Sequence, residues 1–229
     1  MNKRHGIHAS LAVAVLAVLG VTVSAAVGAQ VDTKPSGTTK SSTATPSTTT
    51  PSTTSGVPVT EPLRIEHRAL IPAIDALAAN GDAVGVGPRA QQLVKVNESY
   101  TFLTTHLIPH AVAEDKFLYP AVDRLIGGKD PGTRSTDTMR RDHAEVGMLT
   151  RQLGALADQM KAGTLTTAQE QDLRQTLYSL HGIVRLHFAK EEEVYLPLLD
   201  RELTAAQAQE IFEAMEKATA PAGEATPEN

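Results

Sequence analysis

An all-α, antiparallel four-helix bundle with a short extra helix at its C-terminal end is the fold class this sequence predicts. Three observations lead there. From Glu61 onward, apolar residues recur at alternating steps of three and four, which is the stripe of a helix packed on its neighbours. The pattern fills four long segments and then a shorter one. Short connections between such segments make neighbouring helices run antiparallel.

The first predicted helix runs from about Glu61 to Ala79, with Leu63, His67, Leu70, Ile74 and Leu77 inward. The second spans about Pro88 to Leu125 through Leu93, Val96, Tyr100, Leu103, Leu107, His110, Glu114 and Phe117, with Pro88 suited to a first helical turn. Pro109 lies inside it and is expected to free a carbonyl and bend it. The third, about Thr136 to Lys161, turns Met139, His143, Val146, Thr150, Leu153, Leu156 and Met160 inward. The fourth, about Ala168 to Leu199, uses Leu173, Leu177, Leu180, Val184, His187, Glu191, Val194 and Leu198, and Thr167 with Glu170 has capping-box spacing at its start. A fifth helix, Ala205 to Lys217, follows Thr204 and Gln207. Residues 218–229 read as a tail.

Ahead of the helices the chain changes character. Residues 1–60 carry a net charge of +3 and none of the Phe and Tyr, while the rest carries −8. Lys3 and Arg4 precede the uncharged run Leu11 to Ala29, which ends in Val27-Gly28-Ala29. A basic start, an apolar stretch and a small-residue exit form a secretory signal peptide over 1–29, or an uncut signal anchor. The Ala/Gly-rich end favours cleavage before Gln30. Of the 31 residues from Gln30 to Thr60, 21 are Thr, Ser or Pro. Such a tract lacks the apolar side chains that offset the entropy of ordering, so 30–60 is expected to be a disordered linker. The folded unit is expected over 61–217, exported and then secreted or held at the cell surface by an uncleaved N-terminal segment.

Zero cysteines exclude a disulfide scaffold, a Cys-held iron–sulfur cluster, a Cys zinc finger and a thiol nucleophile. An acidic domain with few aromatics argues against a nucleic-acid partner, which requires basic stripes or stacking platforms.

Six ionisable residues interrupt the apolar stripes: His67, His110, Glu114, His143, His187 and Glu191. A lone inward histidine is commonly a hydrogen-bonded core residue. Six inward donors, at least one on each helix, are better compensated together by metal, because imidazole and carboxylate both ligate first-row metals. His110 with Glu114, and His187 with Glu191, are four apart and share a helix face. The two halves also match. His67 and His143 each follow an acid (Glu66, Asp142) and precede a Leu by ten residues (Leu77, Leu153). Each His-x3-Glu pair continues with an acid (Asp115, Glu192), and a Pro stands ten after its His (Pro120, Pro197). The pattern is a two-helix unit used twice, with a pseudo-two-fold through the donors.

The order His, His-x3-Glu, His, His-x3-Glu, in the contexts HAVAEDKFLYP and HFAKEEEVYLP, resembles the hemerythrin-like HHE cation-binding family over about Leu63 to Leu199. The resemblance implies a hemerythrin-like four-helix bundle holding a non-heme di-iron centre, oxo or hydroxo bridged, with manganese or zinc less favoured. His67, His110, His143 and His187 would be terminal ligands, and Glu114 and Glu191 would bridge the metals. Oxygen-carrying members place a second histidine four after the third-helix histidine, where this chain has Gly147, so reversible oxygen storage is not carried over. The function expected is binding of O2, NO or a reactive oxygen species, for sensing or detoxification, with redox activity on NO or peroxide as the enzymatic form. The alternative is an iron store or scavenger without catalysis. A ferritin-type site needs Glu three residues before a ligand His, and Arg64, Leu107, Arg140 and Val184 stand there instead.

Other residues receive plainer readings. His106, one turn before His110, is a candidate flanking ligand or a packing residue; His181 is structural or solvated. Tyr119 and Tyr195 are candidate near-site hydrogen-bond donors or, as the favoured reading, core packing, while Asp115, Glu192 and Glu193 are assigned to a solvated face or a metal entry path.

Overall fold

The computed structural model describes residues 56–128 and 130–219, and among these every regular element is helical. The signal segment, most of the linker and residues 220–229 of the tail lie outside the described residues. Four rods form the bundle. The first is α1 (Glu61–Asp82). The second is a run of α2 (Arg89–Phe102), a π-helical turn π1 (Leu103–Leu107), α3 (Ile108–Ala113), π2 (Glu114–Leu118) and α4 (Tyr119–Ile126). The third is α5 (Asp137–Ala162). The fourth joins α6 (Thr167–Lys190), π3 (Glu191–Tyr195) and α7 (Leu196–Glu202). A fifth helix, α8 (Ala205–Thr219), packs on α3 and π2. α1 packs on α2 and α6, and α5 packs on the same two, which closes the square. Among the described residues no helix is long and apolar enough to cross a membrane.

Local chemistry explains the ends of the rods. Thr166 caps α6 through a reciprocal box with Gln169, one residue before the Thr167–Glu170 pair expected from sequence. Thr204 and Gln207 make the same box at α8. Pro88 stands as the N-cap of α2 in extended backbone instead of inside its first turn. Gly127, at φ 104°, ends α4 in a conformation that a Cβ would strain. Thr60, the last residue of the expected linker, is buried, and both its N–H and its hydroxyl donate to Asp200.

The inward face was read correctly over most of α1, α5 and α6, but it slips on the second and fourth rods. Val194 is 57% exposed and Leu198 is half-buried, while Leu196 and Leu199 are buried instead. Phe117 is half-buried, whereas Leu118 and Tyr119 are fully enclosed. Both slips fall within or just after a π turn, whose extra residue per turn advances the inward position by one or two. The π turns have a cause in the sequence. Pro109, Pro120 and Pro197 each stand two residues after one. Proline cannot donate to the carbonyl four back and clashes with it, and widening the turn relieves both faults. Tyr100, also expected inward, is exposed and lies across Gly154, occupying space where a Cβ would stand 2.7 Å from the ring.

Two apolar clusters fill the interior. One includes Leu70, Leu107, Val146, Val184 and Phe188; the other includes Leu63, Ala113, Leu118, Tyr119, Met139 and Leu196. On every rod the stripe-breaking residues lie at the junction of the two, so the bundle carries one polar layer between two apolar ones.

Candidate metal centre

His67 comes from α1, His110 from α3, Glu114 from the start of π2, His143 from α5, His187 from α6 and Glu191 from the start of π3. The structure brings all six together. Their atoms form two groups that share one carboxylate: His67, His110, Glu114 and Glu191, and then Glu114, His143 and His187. Glu114 lies between them, with Oε1 3.1 Å from His110 Nε2 and Oε2 3.3 Å from His143 Nε2. Glu191 places Oε2 3.5 Å from His67 Nε2 and Oε1 3.6 Å from His187 Nε2. The Nε2 atoms of His143 and His187 approach to 3.0 Å.

All four rings present Nε2 to the centre because Nδ1 is engaged elsewhere. His67 Nδ1 donates to Glu192 at 2.8 Å, His110 Nδ1 to Glu66 at 3.0 Å, His143 Nδ1 to Asp115 at 3.0 Å and His187 Nδ1 to Asp142 at 3.1 Å. A carboxylate can only accept, so a proton sits on Nδ1 and Nε2 is the atom turned inward. This is the arrangement that orients metal-binding imidazoles and raises their basicity. Asp115 and Glu192, read from sequence as a solvated face or a metal entry path, stay about a third exposed but have a further role. Each hydrogen-bonds a histidine of the cluster. The signal was present: an acid adjoins each single histidine and each central glutamate in both halves.

Tyr119 is both a buried core residue and a near-site donor. Its hydroxyl donates to Glu191 Oε1 at 2.7 Å and lies 3.1 Å from His187 Nε2. Tyr195 does not reach the cluster and donates to the Ser135 carbonyl. His106 is exposed beside Phe102, and His181 meets Asp75 at the surface. The symmetry is imperfect, because Leu196 occupies the place matching Tyr119, while Phe188 stacks on His67 with ring centroids 4.2 Å apart.

Whether a cation fits is decided by what the protein leaves unpaired. His67 Nε2, His110 Nε2, both Glu114 oxygens and Glu191 Oε2 are buried without a hydrogen-bond partner. Each such atom costs about 1–3 kcal/mol. Five of them together rival the roughly 5–15 kcal/mol by which an ordinary domain is stable. Cations held in the two donor groups would satisfy them together. Without metal, protons take part of that role. Burial would lower the pKa of His110, but Glu114 and Glu66 raise it well above the ordinary imidazole value. Burial works against ionised Glu114, yet the surrounding histidines hold its pKa well below the usual carboxylate value. Burial and the charge of Glu114 push Glu191 upward. Burial and the two glutamates push the Tyr119 phenol upward, so it remains a donor.

A small cavity of about 10 Å³ adjoins the cluster, lined by residues that include Leu107, His143, Val184, His187 and Phe188. That volume borders on what one water requires.

The family model described as the hemerythrin HHE cation binding domain matches residues 59–199. No curated protein and no solved structure matches the chain. The chain belongs to the hemerythrin HHE cation-binding family, with a buried His/Glu cluster compatible with a metal site.

Proposed function

Starting from that family membership, we propose that the chain is an exported non-heme di-iron protein whose centre binds O2, NO or a reactive oxygen species. The observation that carries the reading is the set of buried, unpaired Nε2 and carboxylate atoms from three rods, grouped with His143 of the remaining rod and with His187. His67 and His110 would hold one iron and His143 and His187 the other, with Glu114 and Glu191 bridging them. A donor set of imidazole and carboxylate without thiolate suits iron, although zinc and manganese share much of that preference. When bound, the irons supply Lewis acidity and one-electron redox chemistry.

The chain's own residues do the rest. The four carboxylates on Nδ1 fix the ring orientations and the tautomer. The Tyr119 hydroxyl places a proton at Glu191 Oε1, next to His187. The apolar layers on both sides limit water around the cluster. The small size of the cavity argues against an organic substrate. Export rests on the basic and apolar residues of 1–29.

Metal analysis of the purified protein, with the visible spectrum before and after NO or O2, tests the proposal. Two irons with a ligand-responsive absorption support it. Iron that leaves under weak chelation without such a response favours storage, and absence of bound metal sinks both.

A further inference from the structure

Two residues with no part in the donor set recur in both halves with the same neighbours. Thr60, Arg64 and His67 have the same spacing as Thr136, Arg140 and His143. In the first half, Arg64 Nη1 donates to Glu192, the acceptor of His67 Nδ1, and Nη2 donates to Asp200 at 3.0 Å. The buried Thr60 then donates its N–H (2.9 Å) and its hydroxyl (2.8 Å) to Asp200. In the second half, Arg140 Nη1 donates to the Asp115 carbonyl at 2.8 Å and to its carboxylate at 3.4 Å, and Nη2 lies 3.4 Å from Asp123. The buried Thr136 donates its N–H (3.1 Å) and hydroxyl (2.9 Å) to Asp123. Asp200 follows Glu191 by nine residues, and Asp123 follows Glu114 by nine.

Desolvation offsets much of the attraction of a largely buried ion pair, so stability alone is a poor reason for such a duplicated array. These arginine side chains are only 17% and 19% exposed, and each spans two carboxylates from different elements. Only a planar fork of N–H groups does that with fixed geometry; an ammonium acts as a point charge. Without the arginine, Glu192 or Asp115 is free to rotate into solvent, and its histidine loses the acceptor that holds the proton on Nδ1.

We infer that Arg64 and Arg140 are positioning residues, each setting the tautomer and orientation of one histidine, His67 or His143, through the chain Thr–Asp–Arg–carboxylate–His, and so each governing one metal position. The inference rests on the two-metal reading above and adds to it that the two positions are tuned separately.

The test titrates the metal-free full chain with Co(II), and follows imidazole Nδ1–H signals by NMR in the metal-free state. The wild type is expected to bind two equivalents. Arg64→Gln weakens one of them about 10- to 100-fold and removes the His67 Nδ1–H signal, leaving the His143 signal in place; Arg140→Gln does the converse. Arg64→Lys restores the charge but not the signal. Asp200→Asn gives a smaller loss on the Arg64 side and serves if Arg64→Gln does not fold. Wild-type failure to bind two equivalents sinks the two-metal reading, while the imidazole signals still decide the relay. Unchanged signals in both arginine variants, or loss of both equivalents together, overturns the relay alone.

Discussion

Phe188 stacks on His67 at 4.2 Å with the rings 24° apart and also lines the small cavity beside the cluster. Replacing it with alanine perturbs packing and access at once, in opposite directions for stability and for ligand entry. A buried Phe→Ala change costs about 3–5 kcal/mol, part of it from the cavity left behind at about 24 cal/mol per Å³. At roughly 2–4 °C per kcal/mol for a domain of this size, the iron-loaded protein should melt about 6–20 °C lower. Entry is expected to improve. In the wild type a diatomic or triatomic ligand must part the walls of a cavity of about 10 Å³. Overpacking of that kind costs about 1–3 kcal/mol. Removing that cost predicts azide association faster by about 5- to 150-fold. Circular dichroism melts and stopped-flow azide binding to the iron-loaded protein read the two effects, with iron content measured on both proteins. A lowered melting temperature with full iron content and an unchanged azide rate would refute the assignment of this cavity as the ligand route.

Three other outcomes follow from single contacts. Tyr119→Phe deprives Glu191 Oε1 of its donor and should destabilise the metal-free protein by about 1–3 kcal/mol, with a smaller loss once metal is bound; equal losses in paired thermal melts would contradict a compensating cation. Burial alone would lower the pKa of His187, but the hydrogen bond to Asp142 and the charges of Glu114 and Glu191 raise it from 6.5 to about 9. Its stabilisation of the metal-free fold is thus complete below pH 6.5 and is lost as pH rises through 9. Metal requires the same lone pair, so affinity should climb from pH 6.5 to 9 with proton release, and pH-independent binding by calorimetry in several buffers would contradict this. Val194→Asp on the exposed side of π3 should cost within about 0.5 kcal/mol, while Leu196→Asp buries a charge and should cost more than about 4 kcal/mol; the reverse order in urea melts would disprove the register after the π turn.

Legibility from sequence varied with the range of the interaction. The donors could be read because His-x3-Glu places both side chains on one helix face, whatever the rest of the chain does. The capping threonines at α6 and α8 were legible to within a residue for the same reason. Beyond Glu114 and Glu191 a regular period was assumed, and Pro120 and Pro197 widen the turns there, so Phe117, Val194 and Leu198 were assigned to the wrong face. In the sequence Arg64 and Arg140 stand out only as residues that exclude a ferritin-type motif.

The sequence by itself determined the helices, their caps to within a residue and the identity of the six converging side chains, because these depend on contacts within a few residues along one rod. Tertiary structure alone decided which acid serves which histidine. Glu192 reaches His67 across 125 residues and Asp115 reaches His143 across 28. Both acids sit beside glutamates of the cluster and look solvent-facing on their own helices. Only the packing of α1 against the fourth rod, and of the second rod against α5, turns them from surface charge into the groups that orient the imidazoles. A hydrogen bond between rods has no period to betray it, since its partners become neighbours only when the bundle closes.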